Sequence, residues 1–286
     1  MSIFYACLDY VVQPYLHQYG ASFSMIMDLR ESVFLEYRNV AFFLTATLAA
    51  CFGVSIYAIA VNFVYRFFAL QREGRLRYFS GHRLFVWMSI PFIAGIFWLA
   101  AGWFWVNYDE EMAEYIGQEI NATYGLDWHS ITFTGGMYYK VDQTGETRWR
   151  MKNTLGAGVM FLVMQAPFLT ICYFGYQSHR RITTITDNGE SDYSRRVQKQ
   201  LYQALMGQTA IPIIFLFFPI GGIFAAPLIH VEVGRFCYLV TFFFTFYPVF
   251  DPLPTLLFVD EFRNGLFKVV RRGRQVSGYS SQGIVN

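Results

Sequence analysis

Long stretches of apolar residues alternate with charged segments along this 286-residue chain. Four stretches contain no Asp, Glu, Lys or Arg, and a fifth contains a single acid, Asp251. The five stretches are residues 39–65, 84–108, 153–178, 200–229 and 236–259. Each is longer than the roughly 20 apolar residues with which a helix crosses the hydrocarbon core of a bilayer. The pattern therefore predicts an integral membrane protein.

The apolar stretches predict an all-α fold, a transmembrane helix bundle with five clear spans. In lipid only helices and closed barrels satisfy the backbone polar groups, and barrel strands are short and alternate in polarity. The predicted spans are about 39–67, 84–107, 154–177, 201–228 and 236–259. We find no linker or second domain, so residues 1–274 are expected to form a single transmembrane domain.

The two ends of the chain are expected to differ from the spans. Residues 1–16 are apolar but short and contain Asp9 and Pro14, which is typical of a partial transmembrane helix and not of a secretory signal. Residues 260–274 place apolar side chains among basic ones near helical spacing, which predicts an amphipathic helix on the inner membrane surface. An unstructured basic tail is the alternative. The Ser/Gly-rich residues 275–286 are predicted to be disordered.

The placement of charge predicts the orientation in the membrane. Connection 109–152 carries eight acids against four basic residues, whereas 71–83, 179–199 and the C-terminal tail are rich in arginine. Because an excess of Lys and Arg marks the cytoplasmic side, the C-terminus is expected to be cytoplasmic and 109–152 to lie outside. The sequon beginning at Asn121 lies in this outer connection and is a predicted glycosylation site.

Two features are predicted near the outer membrane surface. Three tryptophans at the end of the second span are expected to form an interfacial aromatic belt: Trp98, Trp103 and Trp105. Apolar residues on both sides of Gly135-Gly136 predict a β-hairpin with a two-residue glycine turn.

The sequence offers little for catalysis. The five histidines are scattered without metal-ligand spacing, and no nucleophile or phosphate-binding motif occurs, so we expect no enzyme activity, metal or other cofactor. The net charge of +2 gives no indication of a nucleic-acid partner. Asp251 stands out because a carboxylate at the bilayer centre costs about 2.5–3.5 kcal/mol. Asp251 is either functional or placed near the inner membrane interface. Arg66, at the inner end of the first span, is either functional or an ordinary membrane anchor.

Four segments together resemble nematode seven-transmembrane chemoreceptors of the Str type, within the serpentine G-protein-coupled receptors. They begin at Asp9 (DYVVQPYLHQYG), Asn62 (NFVYRFFAL), Gln200 (QLYQALMGQTAIP) and Tyr247 (YPVFDPLP), and the last leads into EFRN at Glu261. They follow in family order over nearly the whole chain. In that family the Gln-Pro-Tyr segment follows the second helix, so the five spans correspond to helices three to seven. The chain is accordingly expected to lack the first helix.

The resemblance implies a chemosensory, olfactory-type receptor. It would bind a small odorant-like molecule and activate a heterotrimeric G protein, at the plasma membrane of a sensory cilium. The candidate ligand residues, for which helix packing or lipid contact is the alternative, are Phe42, Phe43, Thr47, Met160, Met164, Gln165, Phe224, Tyr238, Thr241 and Phe242.

The resemblance also implies candidate residues for signalling. The G-protein contacts would be Tyr65, Arg66, Phe67, Arg72, Arg180, Arg195 and Arg196, and the switch would be Pro219, Asp251 and Pro252. Tyr65 stands where rhodopsin-type receptors carry an acid before the arginine, so the local acid–arginine lock is not expected. Two other functions stay open, a truncated non-signalling receptor fragment and a transporter or channel. The second requires internal repeats and several mid-membrane polar residues, which we do not find.

Overall fold

The computed structural model describes residues 2–70, 75–141, 145–187, 192–250 and 252–265, and most of them are helical. The helices are α1 Ser2–Val12, α2 Arg38–Leu70, α3 His82–Trp105, α4 Glu110–Tyr124, α5 Met151–Asp187, α6 Asp192–Pro212, α7 Phe218–Ala225, α8 Cys237–Phe250 and α9 Leu253–Phe258. Residues 260–265 are also helical. Short 3-10 turns lie at Arg75–Phe79, Trp128–Ser130, Ala226–Ile229 and Gly234–Phe236.

Within the described ranges, four helical stretches are long and apolar enough to cross a membrane. They are Arg38–Ala69, His82–Trp105, Met151–Arg181 and Lys199–Ile229. The fifth predicted span, 236–259, contains α8 and α9, and its apolar helix Cys237–Tyr247 is shorter than a membrane-crossing helix. The predicted multi-pass helical bundle is therefore confirmed, but the predicted count of five spans is not.

The fourth long stretch is not a continuous α-helix. A π-helical turn, Ile213–Phe217, joins α6 to α7, and Pro219 lies in the first turn of α7. Proline lacks the N–H that an α-helix would supply to the carbonyl of Phe215, so the hydrogen-bond ladder is interrupted there. Such turns bend a helix axis.

The prediction of an all-α fold is wrong in one respect, because a small antiparallel sheet covers one end of the bundle. Its strands are β1 Tyr15–Tyr19, β2 Ser22–Asp28 and β3 Ile131–Met137, in the order β1-β2-β3. A two-stranded ribbon, β4 Tyr139–Val141 with β5 Thr147–Trp149, follows β3. We call this the sheet end and the other the opposite end.

The predicted glycine hairpin is also wrong. Gly135 and Gly136 lie inside β3, where they pair with Ser24 and Phe23 of β2. Glycine is needed there because of a close approach: a Cβ on Gly135 would lie 2.6 Å from the Cα of Ser24. The glycines therefore allow two strands to pack closely and do not form a turn.

The sheet is part of the main hydrophobic core. All seven residues of β3 are buried, and six of the seven in β2. Met112, Ile116 and Ile120 of α4 belong to the same buried cluster as residues of α2, α3, α5 and α7. A smaller cluster of Ala60, Phe63, Ile171 and Leu205 joins α2, α5 and α6 nearer the opposite end.

Several predicted features lie outside the described residues. They are Arg72, Asp251, residues 266–274 of the expected amphipathic helix, and the tail 275–286. The backbone of Arg195 lies within α6, but its side chain is not described.

A candidate ligand cavity beneath the sheet

A cavity of about 70 Å³ lies between the sheet and the helices. Strands β1 to β3 form one wall, and α2, α3, α5 and α7 form the others. The lining residues are Leu16, Phe23, Ser24, Met25, Ala46, Ala49, Phe52, Trp98, Gly102, Val106, Thr134, Gly135, Met160, Ile220, Ile223 and Phe224. The walls are almost entirely apolar, as is typical of pockets for small neutral molecules.

Small residues on the facing helices leave room for this cavity. Ala46 and Ala49 lie one helical turn apart on α2, and Gly102 lies across from them on α3. A Cβ on Gly102 would be 3.8 Å from Thr134 Oγ1 and 3.9 Å from the Cβ of Ala46. A larger side chain at any of these three positions would extend into the space.

Two hydrogen-bond donors in the cavity wall have no partner. Ser24 Oγ and Trp98 Nε1 are buried, with residue exposures of 2% and 5%, and neither forms a hydrogen bond among the residues that the structure describes. Thr134, by contrast, donates to the carbonyl of Val106 at 3.2 Å. A buried donor without a partner costs about 1–3 kcal/mol, so an acceptor atom that reached either donor would recover this energy.

Trp98 is held by its neighbours in α2. Its ring lies 5.7 Å from the Phe52 ring in an edge-to-face arrangement, and a Cβ on Gly53 would contact it at 3.5 Å. The expected aromatic belt is therefore wrong for Trp98, which faces the protein interior. Trp103 is 44% exposed and remains compatible with an interfacial position.

Hydrogen bonds join the residues that follow β3 to α7 and to the turn after it. The hydroxyl of Tyr138 donates to the carbonyl of Phe224 at 2.9 Å, and that of Tyr139 lies 2.7 Å from His230 Nδ1. Burial raises the pKa of Tyr138, so its hydroxyl stays protonated and can donate. The sheet and α7 are therefore expected to move together.

A second set of bonds ties β1 to α8 and the loop before it. The N–H of Leu16 donates to Thr241 Oγ1 at 3.0 Å, and the N–H of Val233 donates to Gln18 Oε1 at 2.6 Å. His17, between them, is 2% exposed and lies 3.2 Å from the hydroxyl of Tyr124. Burial lowers the pKa of His17 to about 4, against an opposing effect of Glu119.

Of the ten predicted ligand residues, the structure places two in the cavity wall, Met160 and Phe224. Phe42 lines a different pocket between α2 and α3. Thr241 is engaged with β1, as described above. The others are buried without lining the cavity (Met164), half-buried (Thr47, Gln165) or exposed (Phe43, Tyr238, Phe242).

The predicted G-protein contacts that the structure describes lie at the opposite end. Tyr65 is exposed and its ring lies edge-on to Phe79 at 5.3 Å, and Phe67 packs against Phe174. Arg66 is half-buried, and its Nε has no hydrogen-bond partner within the described ranges.

Basic residues of α5 and α6 lie at the same end. Arg180 is exposed near the C-terminus of α5. Arg196, at the start of α6, forms an ion pair with Asp260 at 2.7 Å, and Arg263 also contacts this carboxylate. Gln200 donates to Asp260 at 2.6 Å, and this bond is the main cause that lowers the pKa of Asp260, followed by Arg196. No sequence pattern predicts that this carboxylate joins α6 to the short helix 260–265.

Sequence reasoning missed the cavity residues of the strands, above all Ser24. Its segment, Ser22–Asp28, begins with two serines that alternate with apolar residues. A strand could have been predicted from this alternation.

The comparisons with known proteins agree with the multi-pass architecture. The family model described as "Serpentine type 7TM GPCR chemoreceptor Str" matches residues 1–267. "Serpentine receptor class r-10" of Caenorhabditis briggsae is 32% identical, over 93% of this chain and 77% of the relative. The C. elegans protein of the same name is 30% identical with the same coverage. "G-protein coupled receptor str-217" of C. elegans is 27% identical, over 94% of this chain and 78% of the relative. No solved structure matches.

Proposed function

Because the chain belongs to the serpentine type 7TM GPCR chemoreceptor Str family, we propose that it is a chemosensory receptor that binds a small odorant-like molecule and activates a heterotrimeric G protein. The observation that carries the ligand part is the apolar cavity with the unpartnered donors Ser24 Oγ and Trp98 Nε1. Our proposal includes a non-catalytic role and a location in the plasma membrane of a sensory cilium.

The cavity favours small, neutral ligands. None of the described residues in its walls carries an ionised side chain, so a charged ligand would lose its hydration without compensation. An acceptor oxygen placed between Ser24 and Trp98 would orient the ligand, and Met160 and Phe224 would contact its apolar part.

We place the sheet end outside the cell. The acidic connection and its sequon support this orientation. Asn121 is exposed on α4, which covers the sheet, so a glycan there would project away from the cavity.

Ligand binding would be transmitted through α7. Ile220, Ile223 and Phe224 line the cavity, and the carbonyl of Phe224 is bonded to Tyr138 of the sheet end. The π turn and Pro219 give this helix a bend at which its two halves can change their angle. A ligand shifts such an equilibrium only by its difference in affinity for the two states.

The G protein would bind at the opposite end. Arg66, Arg180 and Arg196 lie there on three different helices, and movement of α6 would separate Arg196 from Asp260. We assign coupling roles to these arginines and to Tyr65 and Phe67. Arg72, Arg195 and the switch residues Asp251 and Pro252 remain in the same proposal.

The experiment is a G-protein activation assay in cells that express the receptor, screened with a panel of small neutral volatiles. For an agonist so identified, Ser24→Ala and Trp98→Phe should each raise the half-maximal concentration about tenfold, the effect of about one lost buried hydrogen bond. Ser22→Ala is the control for Ser24, because it also removes a buried hydroxyl from β2. The Ser22 hydroxyl already donates to the carbonyl of Tyr19 and does not line the cavity. Trp103→Phe is the control for Trp98.

One outcome would contradict the placement of the ligand in this cavity. If both cavity variants respond as the two controls do, at equal surface expression, the ligand does not bind in this cavity. Ion flux without G-protein activation would instead support the transporter or channel.

A further inference from the structure

A second, more polar pocket lies at the sheet end, next to Thr132 of β3 and between the start of α2 and the end of α3. Its volume is about 270 Å³, and its lining residues are Arg38, Asn39, Phe42, Trp103, Asn107, Tyr108 and Thr132. It shares no lining residue with the cavity beneath the sheet. The proposed receptor function leaves this pocket unused.

The pocket is rich in donors and positively charged. The guanidinium group of Arg38 donates to the carbonyl of His129 and lies 5.8 Å above the Tyr108 ring. Lys152 Nζ donates to Asn107 Oδ1 at 3.3 Å, so a second cation lies next to the wall and the Asn107 amide N–H groups remain to donate. None of the seven lining residues is acidic, and no ion pair of Arg38 occurs within the described ranges.

The position of the pocket is that of a membrane interface. Arg38 is the first residue of one candidate span, and Trp103 lies within three residues of the end of another. Phe42 is buried and meets the Trp103 ring edge-to-face at 5.3 Å, whereas Trp103 itself is exposed. One side of the pocket is therefore polar and cationic, and the other opens towards the region where lipid chains lie.

We propose that this pocket binds the phosphate of a phospholipid from the leaflet at the sheet end. The Arg38 guanidinium and the Asn107 amide would donate to the phosphate oxygens, and Lys152 would add long-range attraction. Trp103 and Phe42 would contact the glycerol and the first part of the acyl chains. The proposal is independent of the receptor's ligand and of G-protein coupling.

Native mass spectrometry of the purified full chain tests the proposal, with dioleoylphosphatidylglycerol titrated into detergent. Dioleoylglycerol, which has the same chains without phosphate, is the matched probe. We expect the phospholipid to be retained at least tenfold more strongly than the diglyceride. Arg38→Gln should weaken phospholipid binding about tenfold, because a hydrogen bond to a charged group is lost.

The control is Arg30→Gln, which makes the same change of charge at the sheet end but outside the pocket, where Arg30 pairs with Asp28. It should leave phospholipid binding within about twofold. Because Arg38 also bonds to His129, Asn107→Leu serves as a second variant: it leaves Arg38 in place and removes the amide, both its donor N–H groups and the oxygen that accepts from Lys152. A thermal unfolding curve verifies that each variant is folded.

Two outcomes would overturn the proposal. One is equal phospholipid binding by the Arg38, Asn107 and Arg30 variants. The other is an affinity for glycerol phosphate equal to that for the phospholipid, seen as displacement of the lipid by millimolar glycerol phosphate. The pocket would then select a soluble anion and not a lipid.

Discussion

The two ends of the bundle are held together by different interactions. At the sheet end, side chains bond to backbone groups far away in sequence, as Tyr138 does to Phe224, and much of this network is buried. At the opposite end, α6 meets the short helix 260–265 through one partly exposed ion pair, Arg196–Asp260, and Arg263 pairs with the same carboxylate from within that helix. Buried hydrogen bonds that would leave an unpaired group are costly to break, whereas exposed ion pairs contribute little.

The difference fits the roles that we propose for the two ends. A cavity that selects a small molecule needs fixed walls, which the paired strands supply. An end that must open for a protein partner needs contacts that break at low cost. The predictions below test whether the sheet end is in fact the rigid one.

The largest effect is expected from Gly135→Val. The new Cβ would meet the backbone of β2, including the Cα of Ser24 at 2.6 Å, so the strands could not pair as they do. We expect a loss of about 3 kcal/mol or more and little folded receptor. Gly158→Ala is the control, because a Cβ there meets nothing within 4 Å. Fluorescence-detected size-exclusion chromatography measures both, and equal yields would show that the sheet is not essential to the fold.

A pH-dependent loss of stability is expected at His17. Because burial lowers its pKa to about 4, the unfolded state binds the proton more readily between pH 6.5 and 4. The free energy of unfolding is therefore not reduced by His17 above pH 6.5. As the pH drops through this window, it falls by up to about 1.4 kcal/mol per pH unit. Thermal unfolding at pH 7 and pH 5 should show a larger decrease for wild type than for His17→Gln. An identical decrease would mean that His17 is not buried as a neutral group.

A smaller effect is expected from Tyr138→Phe, which removes the bond to the carbonyl of Phe224. The loss should be about 1 kcal/mol of stability, and agonist should activate the G protein less efficiently because α7 is no longer tied to the sheet end. Tyr10→Phe is the control, since Tyr10 is 78% exposed. Agonist dose–response curves at equal surface expression give the comparison, and unchanged maximal activation would contradict this coupling path.

The smallest effect is expected at the opposite end, from Asp260→Asn. Loss of the ion pair with Arg196 frees α6 from the short helix 260–265, and loss of the pair with Arg263 weakens that helix. Together they should raise ligand-independent activity about twofold. Glu261→Gln, on an exposed neighbour, is the control for the change of charge. Basal activity that does not change, or that decreases, would show that these ion pairs do not hold the inactive state.

The long apolar helices could be predicted from sequence, because each needs only its own composition to be stable in lipid. Residues 39–65 without a charge thus become the interior of α2. The sheet could not be predicted in the same way. Strand β2 pairs with β3 more than 100 residues later, and such a pairing depends on tertiary contacts that no local pattern encodes.

The candidate site was predicted poorly for the same reason. Met160 and Phe224 lie on predicted helices and were found, whereas Ser24 lies on a strand that was not predicted. Trp98 was misinterpreted because tryptophans near a span end usually face the interface. Its burial depends on the facing surface of α2, where its ring packs against Phe52.

The π turn Ile213–Phe217 has a consequence for how related sequences are compared. One additional residue in a helical turn rotates everything beyond it by about 100° relative to an unbroken α-helix. Ile220, Ile223 and Phe224 point towards the cavity only with that rotation included. A homologue that lacks one residue in this turn would present a different face of the helix to the cavity, even if all three side chains were identical.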